Sequence, residues 1–372
     1  MKNTNVDRRQ RRRLLLAAGA SLVAPALPLR AQERRFEPQV GAWRTFDVAT
    51  TVQVADVKGV TRVWLPLPDI DADYQKSVDN SWAGNASSAR IVADPARGVR
   101  MLAAEFPASV TAPSLTLTSR VMTRNRAADW ARPGRVAEDP AALRAALAPS
   151  ELMPLDGIVL KTAQQATRGA KTDLDKTRAI YEWVVANAHR EPKTRGCGTG
   201  DIKTMLETGN LGGKCADLNA VFVGLCRAAG VPARDVYGLR LAPSAFGYRE
   251  LGANPANLKG AQHCRAEVFL AAHGWVAMDP ADVLKVMRQE TPEWIKDPKH
   301  PLVAPVNRGL FGSWEGNWVA WNTAHDVKLP GSAGKGTLPF LMYPNGENAT
   351  GRFDELSPDN FKYTIAAREI TG

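Results

Sequence analysis

Residues 212–232 constrain the fold more than any other part of the chain. They form the segment GGKCADLNAVFVGLCRAAGVP, in which two glycines and a lysine precede Cys215 and a mainly apolar run follows it. Leu218, Phe222 and Leu225 share one side of a helix, and the final Gly-Val-Pro is a helix stop signal. A helix that is apolar almost all round must be buried, so the sequence predicts a central helix with Cys215 at its amino end.

The length and charge of the chain exclude several classes of protein. With 372 residues, of which 44% are hydrophobic, the chain is long enough for two or three domains with a sizeable core. The net charge is +10, but residues 1–31 carry seven basic residues and one acidic residue, which accounts for +6 of it. Only +4 is left for the rest of the chain, so we expect no nucleic-acid partner.

Residues 1–31 have the pattern of an export signal. A run of arginines precedes the apolar stretch LLLAAGASLVAPALPL, which two prolines interrupt and which is too short for a membrane span. The adjacent arginines resemble a bacterial twin-arginine signal, with a Sec signal as the alternative, and cleavage could follow Ala26 or Ala31. We therefore predict a signal peptide, a periplasmic or otherwise exported protein, and no stable membrane span.

Hydrophobic patterning divides the rest of the chain into three parts. Alternating segments such as FDVATTVQV and SLTLTSRVMTR predict an N-terminal β domain at residues 36–130. The helical segments AALRAALA, LDGIVLKTAQQAT, TDLDKTRAIYEWVVANAH and DIKTMLET come next, and further strands follow the central helix. Helices followed by strands favour the α+β class for the core at residues 136–290. Residues 291–372 form an aromatic-rich extension that ends in the strand-like FKYTIAAREI.

Cys215 has the position of a reactive thiol. The amino end of a helix favours an anion, which lowers the pKa of a thiol there, and its free N–H groups can hold an oxyanion. Such a thiolate works with a histidine that stabilises it and later protonates the leaving group. Of the five histidines, His263 alone begins a strand in the same domain, directly after a long loop. The sequence therefore favours Cys215 as nucleophile and His263 as general acid/base.

Asp279 is the third member of this constellation. The segments HCRAEVFL and GWVAM are joined by a short turn, so they should pair as antiparallel strands and bring His263 near Asp279. A carboxylate at this position would hold the orientation of the imidazole. For both side chains to share a face, the hairpin needs a loop of about three or five residues, or a bulge.

Three motifs in this order resemble the transglutaminase-like superfamily. They are GGKCADLNAVFVGLCRAAGVPAR, HCRAEVF and GWVAMDPAD, within residues 180–282. The resemblance implies a papain-like α+β core, a helix bundle packed on an antiparallel sheet, here preceded by the N-terminal β domain. It also implies a triad of Cys215 as nucleophile, His263 as acid/base and Asp279 as orienting residue. Where many members have a small residue and a tryptophan, the residues after the histidine are Cys-Arg, which alters the expected shape of the acyl-donor site.

The other three cysteines have less reactive positions. Cys197 lies in a glycine-rich loop and is the alternative nucleophile or half of a disulfide. Cys226 falls on the same helix face as Cys215, about three turns later, and is expected in the core. Cys264 follows His263 on its strand and should point away from it, and a bridge from Cys264 to Cys197 is possible in an oxidising compartment. No spacing of Cys and His fits a zinc site, so neither a metal nor a cofactor is predicted.

Four residues are candidate substrate contacts. Phe246 and Tyr248 lie in the long loop before the second motif, and long loops inside compact domains are often functional. Asp217 and Trp275 belong to the first and third motifs. Asp217 and Asn219 also fit a simpler role, because an acidic or polar residue in a first helical turn favours the helix start.

Five further residues have a structural and a functional interpretation. Glu267 and Arg234 are expected to form an internal ion pair rather than to catalyse. Trp314, Trp318 and Trp321 are spaced at i, i+4 and i+7, which fits either an aromatic floor for a peptide or glycan, or core packing of the C-terminal part. Core packing is the commoner cause of such spacing.

These features predict an exported thiol enzyme that acts on amide bonds. Cys215 would attack a carbonyl, and water or an amine would resolve the acyl-enzyme. A peptidase or amidase acting on peptide, protein or cell-wall peptide is favoured, because the calcium-loop pattern of the animal cross-linking enzymes is absent from the sequence. The alternatives are a cross-linking acyltransferase, a non-catalytic periplasmic binding or assembly module, and a Cys/His endopeptidase whose third residue is usually histidine.

Overall fold

The computed structural model describes residues 34–55, 57–357 and 361–370. Within these residues, the helices are α1 (Pro140–Ala145), α2 (Gly157–Ala166), α3 (Asp173–Asn187), α4 (Ile202–Thr208), α5 (Cys215–Ala228), α6 (Pro280–Gln289) and α7 (Ala304–Gly309). The strands are β1 (Arg44–Gln53), β2 (Thr61–Pro66), β3 (Gln75–Gly84), β4 (Ser88–Ala93), β5 (Arg100–Phe106), β6 (Ser114–Thr123), β7 (Arg126–Ala127), β8 (His189–Arg190), β9 (Gly212–Gly213), β10 (Ala233–Arg240), β11 (Gln262–Leu270), β12 (Gly274–Met278), β13 (Ser313–Trp314), β14 (Trp318–Asn322), β15 (His325–Val327), β16 (Leu338–Phe340), β17 (Asn345–Asn348), β18 (Gly351–Arg352) and β19 (Lys362–Ile370). The predicted signal peptide, residues 1–31, lies outside the described residues.

No helix in the described part of the chain has the length and apolarity that a membrane span requires.

Two antiparallel sheets contain the strands of the N-terminal part. One has the order β19-β1-β6-β3 and the other the order β18-β17-β2-β5-β4. Buried residues alternate with more exposed ones along β1 and β6, as the period-two pattern predicts for a sheet with one covered face. Val48, Val63 and Leu102, from strands of both sheets, belong to one cluster of buried apolar side chains. The sequence analysis does not predict β3, because QKSVDNSWAG is mainly polar and exposed and lacks a hydrophobic alternation.

The core sheet is antiparallel, has the order β12-β11-β10-β14, and carries α5 across it. On its other sides α5 packs against α2, α3 and α6. Residues 215–227 of this helix are all buried, and Gly230 takes a left-handed conformation just beyond its end. The prediction of a buried central helix with Cys215 at its amino end is confirmed, and helices packed on an antiparallel sheet give the predicted α+β class.

The hairpin of β11 and β12 has the register that the sequence argument requires. Leu270 pairs with Gly274, so the turn contains three residues, 271–273. Continued beyond Met278, this register places Asp279 opposite Arg265, two residues from His263 and therefore on the same face of the strand pair.

The four predicted helices before α5 are present, and side chains cap α1, α3 and α4. The hydroxyl of Thr172 accepts a hydrogen bond from the amide of Asp175 at 3.1 Å at the start of α3. Asp201 accepts one from the amide of Thr204 at 3.0 Å at the start of α4. The sequence analysis does not predict α6, although its Asp-Pro start is a typical helix beginning.

Residues 291–372 contribute strands to the core sheet and to both sheets of the N-terminal part. β14 pairs with β10 in the core sheet, β17 with β2, and β19 with β1. Trp314, Trp318 and Trp321 lie on β13 and β14 and are at most 3% exposed. Core packing of these tryptophans is therefore confirmed, and the alternative of an aromatic floor is wrong. The predicted domain boundaries stay predictions.

A buried ion cluster joins the N-terminal strands to the core sheet. The carboxylate of Glu267 accepts a hydrogen bond from Arg234 Nε at 2.6 Å, and a second one from Arg126 beside β6. Burial would raise the pKa of Glu267, but the two guanidinium groups outweigh burial and lower it. The predicted internal ion pair is confirmed, and Arg126 is a partner that the sequence analysis does not identify.

Gly238 on β10 allows the closest approach in the core sheet. A Cβ atom added there would lie 2.1 Å from the carbonyl oxygen of Val319 and 2.4 Å from the ring of Trp318. Gly238→Ala should lower the free energy of unfolding by roughly 1–3 kcal/mol in urea unfolding, because neither neighbour can move freely. Gly134→Ala is the matched control, with its nearest atom at 4.0 Å, and should change stability by less than about 0.5 kcal/mol. Equal effects of the two substitutions would contradict this packing.

Candidate active site

Cys215 is the first residue of α5, and two neighbouring segments fix this end of the helix. The amide of Ala216 donates a hydrogen bond to the carbonyl oxygen of Cys197 at 3.0 Å. The strand β9, two residues before the thiol, pairs in parallel with β8, so that Gly213 lies beside Arg190. Because segments on both sides of Cys215 are bound to other parts of the chain, its thiol has a fixed position.

Asp217 binds the glycine-rich loop to the start of α5. Its Oδ1 atom accepts hydrogen bonds from the amides of Thr199 and Gly200, both at 2.9 Å, and Oδ2 accepts one from the amide of Lys214 at 3.1 Å. A Cβ atom on Gly198 would lie 1.8 Å from this carboxylate, so only glycine fits there. The contacts support the helix-start role of Asp217, whose carboxylate is occupied by backbone amides.

His263 and Asp279 are in direct contact. His263 Nε2 lies 2.7 Å from Asp279 Oδ2, and the two side chains are buried. Asp279 also caps α6, because its Oδ1 accepts a hydrogen bond from the amide of Asp282 at 3.1 Å. One carboxylate therefore starts a helix and holds the imidazole. The predicted proximity of His263 and Asp279 is confirmed.

Asn219 and Arg265 complete the surroundings of the Asp279 carboxylate. Asn219 Nδ2 donates to the carbonyl oxygen of Cys264 at 2.9 Å and to Asp279 Oδ1 at 3.3 Å, and so connects α5 to β11 and α6. Arg265 Nε lies 3.8 Å from Asp279 Oδ2, and its guanidinium stacks on the ring of Trp318 at 4.6 Å. The sequence leaves the role of Asn219 open, and the structure places it against the carboxylate that contacts His263.

Asp282 and Arg240 are two residues of the site that the sequence analysis misses. Asp282 Oδ2 lies 3.3 Å from His263 Nε2, and both of its oxygens accept hydrogen bonds from Arg240 Nη2, at 2.5 and 2.7 Å. Asp282 is the last residue of the GWVAMDPAD motif and lies one helical turn after Asp279, a spacing that puts both on one side of α6. That spacing is a signal for Asp282, whereas Arg240 has none in the local sequence.

The thiol of Cys215 has a lowered pKa. Burial alone would raise it, but hydrogen bonds with the thiols of Cys197 and Cys264 and with His263, together with the charge of His263, outweigh burial. The pKa values of Cys197 and Cys264 are raised, so these two thiols remain protonated when Cys215 ionises. The arrangement favours a thiolate at Cys215.

The imidazole of His263 has a raised pKa. Burial and the charge of Arg240 would lower it, but the carboxylates of Asp282 and Asp279 outweigh them and raise the pKa of His263 to about 9. Cys215 therefore loses its proton at a lower pH than His263. Between the two pKa values the pair consists of thiolate and imidazolium.

All four cysteines are free and buried. Cys197 Sγ lies 3.4 Å from the carbonyl oxygen of Gln262, and the bridge between Cys197 and Cys264 is not formed. Cys264 Sγ donates to Met342 Sδ at 3.8 Å, but its thiol also acts on the pKa of Cys215, so the prediction that Cys264 points away from the candidate site is wrong. Strand alternation does not separate them, since the first turn of α5 packs across β11. Cys226 is in the core, as predicted.

A cavity of about 380 Å³ reaches both Cys215 and His263. None of the four candidate substrate contacts lines it. Phe246 packs on the ring of Phe36 with centroids 5.1 Å apart, and Tyr248 is buried beneath the same ring. Phe246, Tyr248 and Asp217 therefore contact other parts of the protein and do not line this cavity.

Trp275 lies at the far end of the hairpin from His263. Its ring carries the guanidinium of Arg234 at 3.9 Å, and its Nε1 atom donates to Glu138. The ring lines a different cavity, beside Arg126. Its role as a substrate contact stays a prediction that these neighbours do not favour.

Three donor atoms of the site lie close enough to hold a metal ion. They belong to His263, Asp279 and Asp282 and fall within 4.8 Å of one another. The residues fit a metal poorly, because Arg240 already binds both oxygens of Asp282 and the amide of Asp282 occupies one oxygen of Asp279.

Comparisons with known proteins identify the class of this chain. Residues 160–280 match the family described as the transglutaminase-like superfamily. An uncharacterized protein of Haemophilus influenzae is 32% identical over 327 residues, which cover 84% of this chain and 87% of that protein. The chain therefore belongs to the transglutaminase-like superfamily, as the three motifs predict.

Two solved structures show the extent of the similarity in three dimensions. One is a proposed cysteine protease from Cytophaga hutchinsonii, with 16% identity, a TM-score of 0.49, and coverage of 89% of this chain and 99% of that one. The other is the periplasmic domain of TgpA from Pseudomonas aeruginosa, with 17% identity, a TM-score of 0.33, and coverage of 68% and 91%.

Asp282→Asn should lower the pKa of His263 from about 9 toward its ordinary value of about 6.5, because Asp282 is the largest of the charges that raise it. The measurement is an NMR titration of the His263 ring. The variant also leaves the buried Arg240 without its partner, so we expect a loss of stability of about 3–5 kcal/mol, measured separately in urea. The double variant with Arg240→Gln should recover stability, and because it also removes the Arg240 charge that lowers the pKa of His263, its pKa should lie above that of the single variant.

Asp173→Asn is the matched control, since Asp173 is exposed at the start of α3. It should leave the His263 titration unchanged. A pKa of His263 that remains near 9 in Asp282→Asn, or equal pKa values in the single and double variants, would contradict the opposing roles of Asp282 and Arg240.

Proposed function

We propose that this protein is an exported thiol enzyme that cleaves amide bonds through a Cys215-His263-Asp279 triad. The observation that carries the proposal is the thiol at the fixed amino end of α5, which shares a cavity with a histidine held 2.7 Å from a buried carboxylate. Cys197, Cys264 and His263 together lower the pKa of this thiol. Membership of the transglutaminase-like superfamily supports the same reaction class. The export part rests on the sequence of residues 1–31.

The geometry supports a two-step acyl transfer. The Cys215 thiolate attacks the carbonyl carbon of the amide, and the resulting oxyanion collapses as the C–N bond breaks. The leaving amine takes a proton from His263, which leaves a thioester on Cys215 and a neutral imidazole. Water then gives one proton to His263 and attacks the thioester, and the C–S bond breaks to release a carboxylic acid and restore the thiolate-imidazolium pair; the released acid loses its proton to solvent. Because Nε2 of His263 is bound to Asp279, Nδ1 is the nitrogen that exchanges these protons.

The amide of Cys215 is placed to stabilise the oxyanion. It is the first N–H group of α5, and it has no acceptor among the described residues. The neighbouring amide of Ala216 is already bound to Cys197. The N–H group beside the attacking sulfur therefore remains available where negative charge develops.

Hydrolysis is favoured over cross-linking for a structural reason. The wall of the cavity beside Cys215 contains no aromatic residue among those described, only polar, small and basic residues. Water has access to such a site, whereas transfer to a protein amine needs a second binding surface that excludes water. A cross-linking acyltransferase remains the second reaction to test, and a non-catalytic module the third possibility.

The pH dependence of alkylation tests the thiolate-imidazolium pair. Iodoacetamide should react with Cys215 at a rate that is already high well below the ordinary thiol pKa of about 8.5, because the pKa of this thiol is lowered. His263→Ala should reduce the rate at pH 7 by about tenfold or more, since burial then raises the pKa. Mass spectrometry locates the modified cysteine. A normal pH profile that is indifferent to His263→Ala would contradict the enzyme proposal, and His273→Ala serves as the matched control.

Trapping of the acyl-enzyme tests the reaction itself. Rapid acid quench after mixing with periplasmic extract should leave a thioester on Cys215 that intact-mass analysis detects and hydroxylamine removes. Cys215→Ser should not give that adduct. An adduct that turns over with water alone indicates a hydrolase, whereas turnover only with added amine indicates an acyltransferase. Complete lack of an adduct, together with a normal thiol, favours the non-catalytic module.

A further inference from the structure

The cavity beside Cys215 and His263 has a basic wall. Its charged residues other than the histidine are Arg190, Arg240 and Lys285, and no Asp or Glu of the described chain lines it. The other lining residues are small or carry neutral amides. A bound substrate therefore meets three cations and no carboxylate in this wall.

Two of the three cations are neutralised by carboxylates outside the wall. Arg240 binds both oxygens of Asp282, at 2.5 and 2.7 Å. Lys285 Nζ donates to the carbonyl oxygen of Glu250 at 2.7 Å and lies 3.3 Å from its Oε2 atom. The ion pair of Arg240 is buried and that of Lys285 is partly buried, and both side chains have little capacity left for a ligand.

Arg190 differs from the other two cations. Its Nε atom donates to the uncharged Oε1 atom of Gln289 at 3.0 Å, and no carboxylate oxygen of the described residues lies within 4.0 Å of its guanidinium. The four remaining N–H donors of a guanidinium are free to bind a ligand in a planar, bidentate manner. The parallel bridge between β8 and β9 holds Arg190 beside Gly213, two residues from Cys215.

The charge of Arg190 acts on neighbouring side chains. Burial lowers the pKa of Lys214, and the charge of Arg190 lowers it further. Burial and the charge of Arg240 lower the pKa of Lys285, and Arg190 adds to this effect. Asp282 and Glu250 oppose this effect at Lys285, as Asp217 does at Lys214, but the charge of Arg190 still reaches both lysines.

We propose that Arg190 forms a carboxylate-binding subsite beside Cys215, so that the substrate is an acyl donor with a carboxylate close to the scissile amide. The inference rests on the proposed function and specifies its substrate class. A carboxylate matches the guanidinium in charge and geometry, and it would relieve the repulsion between Arg190 and Lys214. The carboxylate can belong to an acidic side chain or to the end of a peptide chain, which share this chemistry.

A pair of small electrophiles of nearly equal size tests the subsite. Iodoacetate and iodoacetamide both alkylate a thiolate, which forms a C–S bond as iodide leaves, and they differ in the presence of a carboxylate. We define the ratio as the rate constant of iodoacetate at Cys215 divided by that of iodoacetamide. This ratio should fall by about fivefold or more in Arg190→Gln compared with the unaltered protein. Arg190→Lys should keep part of the ratio, because the charge remains while the bidentate geometry is lost. Arg168→Gln, an exposed residue outside the cavity, is the control for net charge.

The outcomes distinguish three possibilities. A lower ratio with an unchanged iodoacetamide rate supports the carboxylate subsite. Equal slowing of both reagents would overturn it, because Arg190 would then act on the thiolate itself, and an unchanged ratio would overturn it as well. Failure of the proposed function is seen separately, as an iodoacetamide pH profile of an ordinary thiol in the unaltered protein. A urea unfolding curve for each variant excludes loss of structure as the cause.

The source of the carboxylate is resolved with three chloroacetyl probes. Chloroacetyl-glutamine amide is neutral, chloroacetyl-glutamate amide carries a side-chain carboxylate, and chloroacetyl-glutamine carries a terminal carboxylate. If chloroacetyl-glutamate amide reacts faster than chloroacetyl-glutamine amide, and Arg190→Gln removes the difference, the substrate carries an acidic side chain. If chloroacetyl-glutamine reacts faster than chloroacetyl-glutamine amide, the carboxylate belongs to the end of a peptide chain. Equal rates for all three in the unaltered protein would contradict the proposal for peptide substrates.

Discussion

The contact between His263 and Asp279 determines how the candidate site is assembled. Asp279 uses one oxygen to hold the imidazole on β11 and the other to cap α6. Asn219 on α5 binds the same carboxylate, so the three elements that form the site meet at one side chain. Misplacement of the imidazole would therefore require displacement of a strand, the start of a helix, or both. Strong positioning of this kind is what nucleophilic catalysis needs from its surroundings.

The charges around this contact balance one another. The buried charged groups of the site are Cys215, Asp279 and Asp282 as anions and His263, Arg240 and Arg265 as cations. Transfer of the proton from the thiol to the imidazole leaves their total at zero, since one anion and one cation appear together. A buried set of charges is tolerated only when it is paired in this way, because an uncompensated charge in the interior is costly. The balance explains how a thiolate can be favoured in a fully buried position.

The sequence predicts the part of this site that local rules determine. The burial of α5 follows from its apolar faces, and the approach of His263 to Asp279 follows from the parity of a three-residue hairpin turn. Arg240 is different, because it is 42 residues from Asp282 in the chain and no periodicity relates a strand end to a helix start. The tryptophans show the opposite problem. Their spacing suits a helix, yet two strands with a turn between them, β13 and β14, give the same spacing.

Charge balance in the interior also clarifies the character of the cavity wall. Because the six buried groups cancel, they contribute little net field to the space that a substrate enters. The field in this space therefore arises from charged groups of the wall that have no partner. Among the described residues, Arg190 is the cation of the wall without a carboxylate partner. An unpaired, half-buried guanidinium has no stabilising role of its own at this place, since its single side-chain partner, Gln289, is neutral. The paired buried groups thus provide the thiolate and the imidazolium, while the substrate specificity of the site depends on the unpaired charge of Arg190.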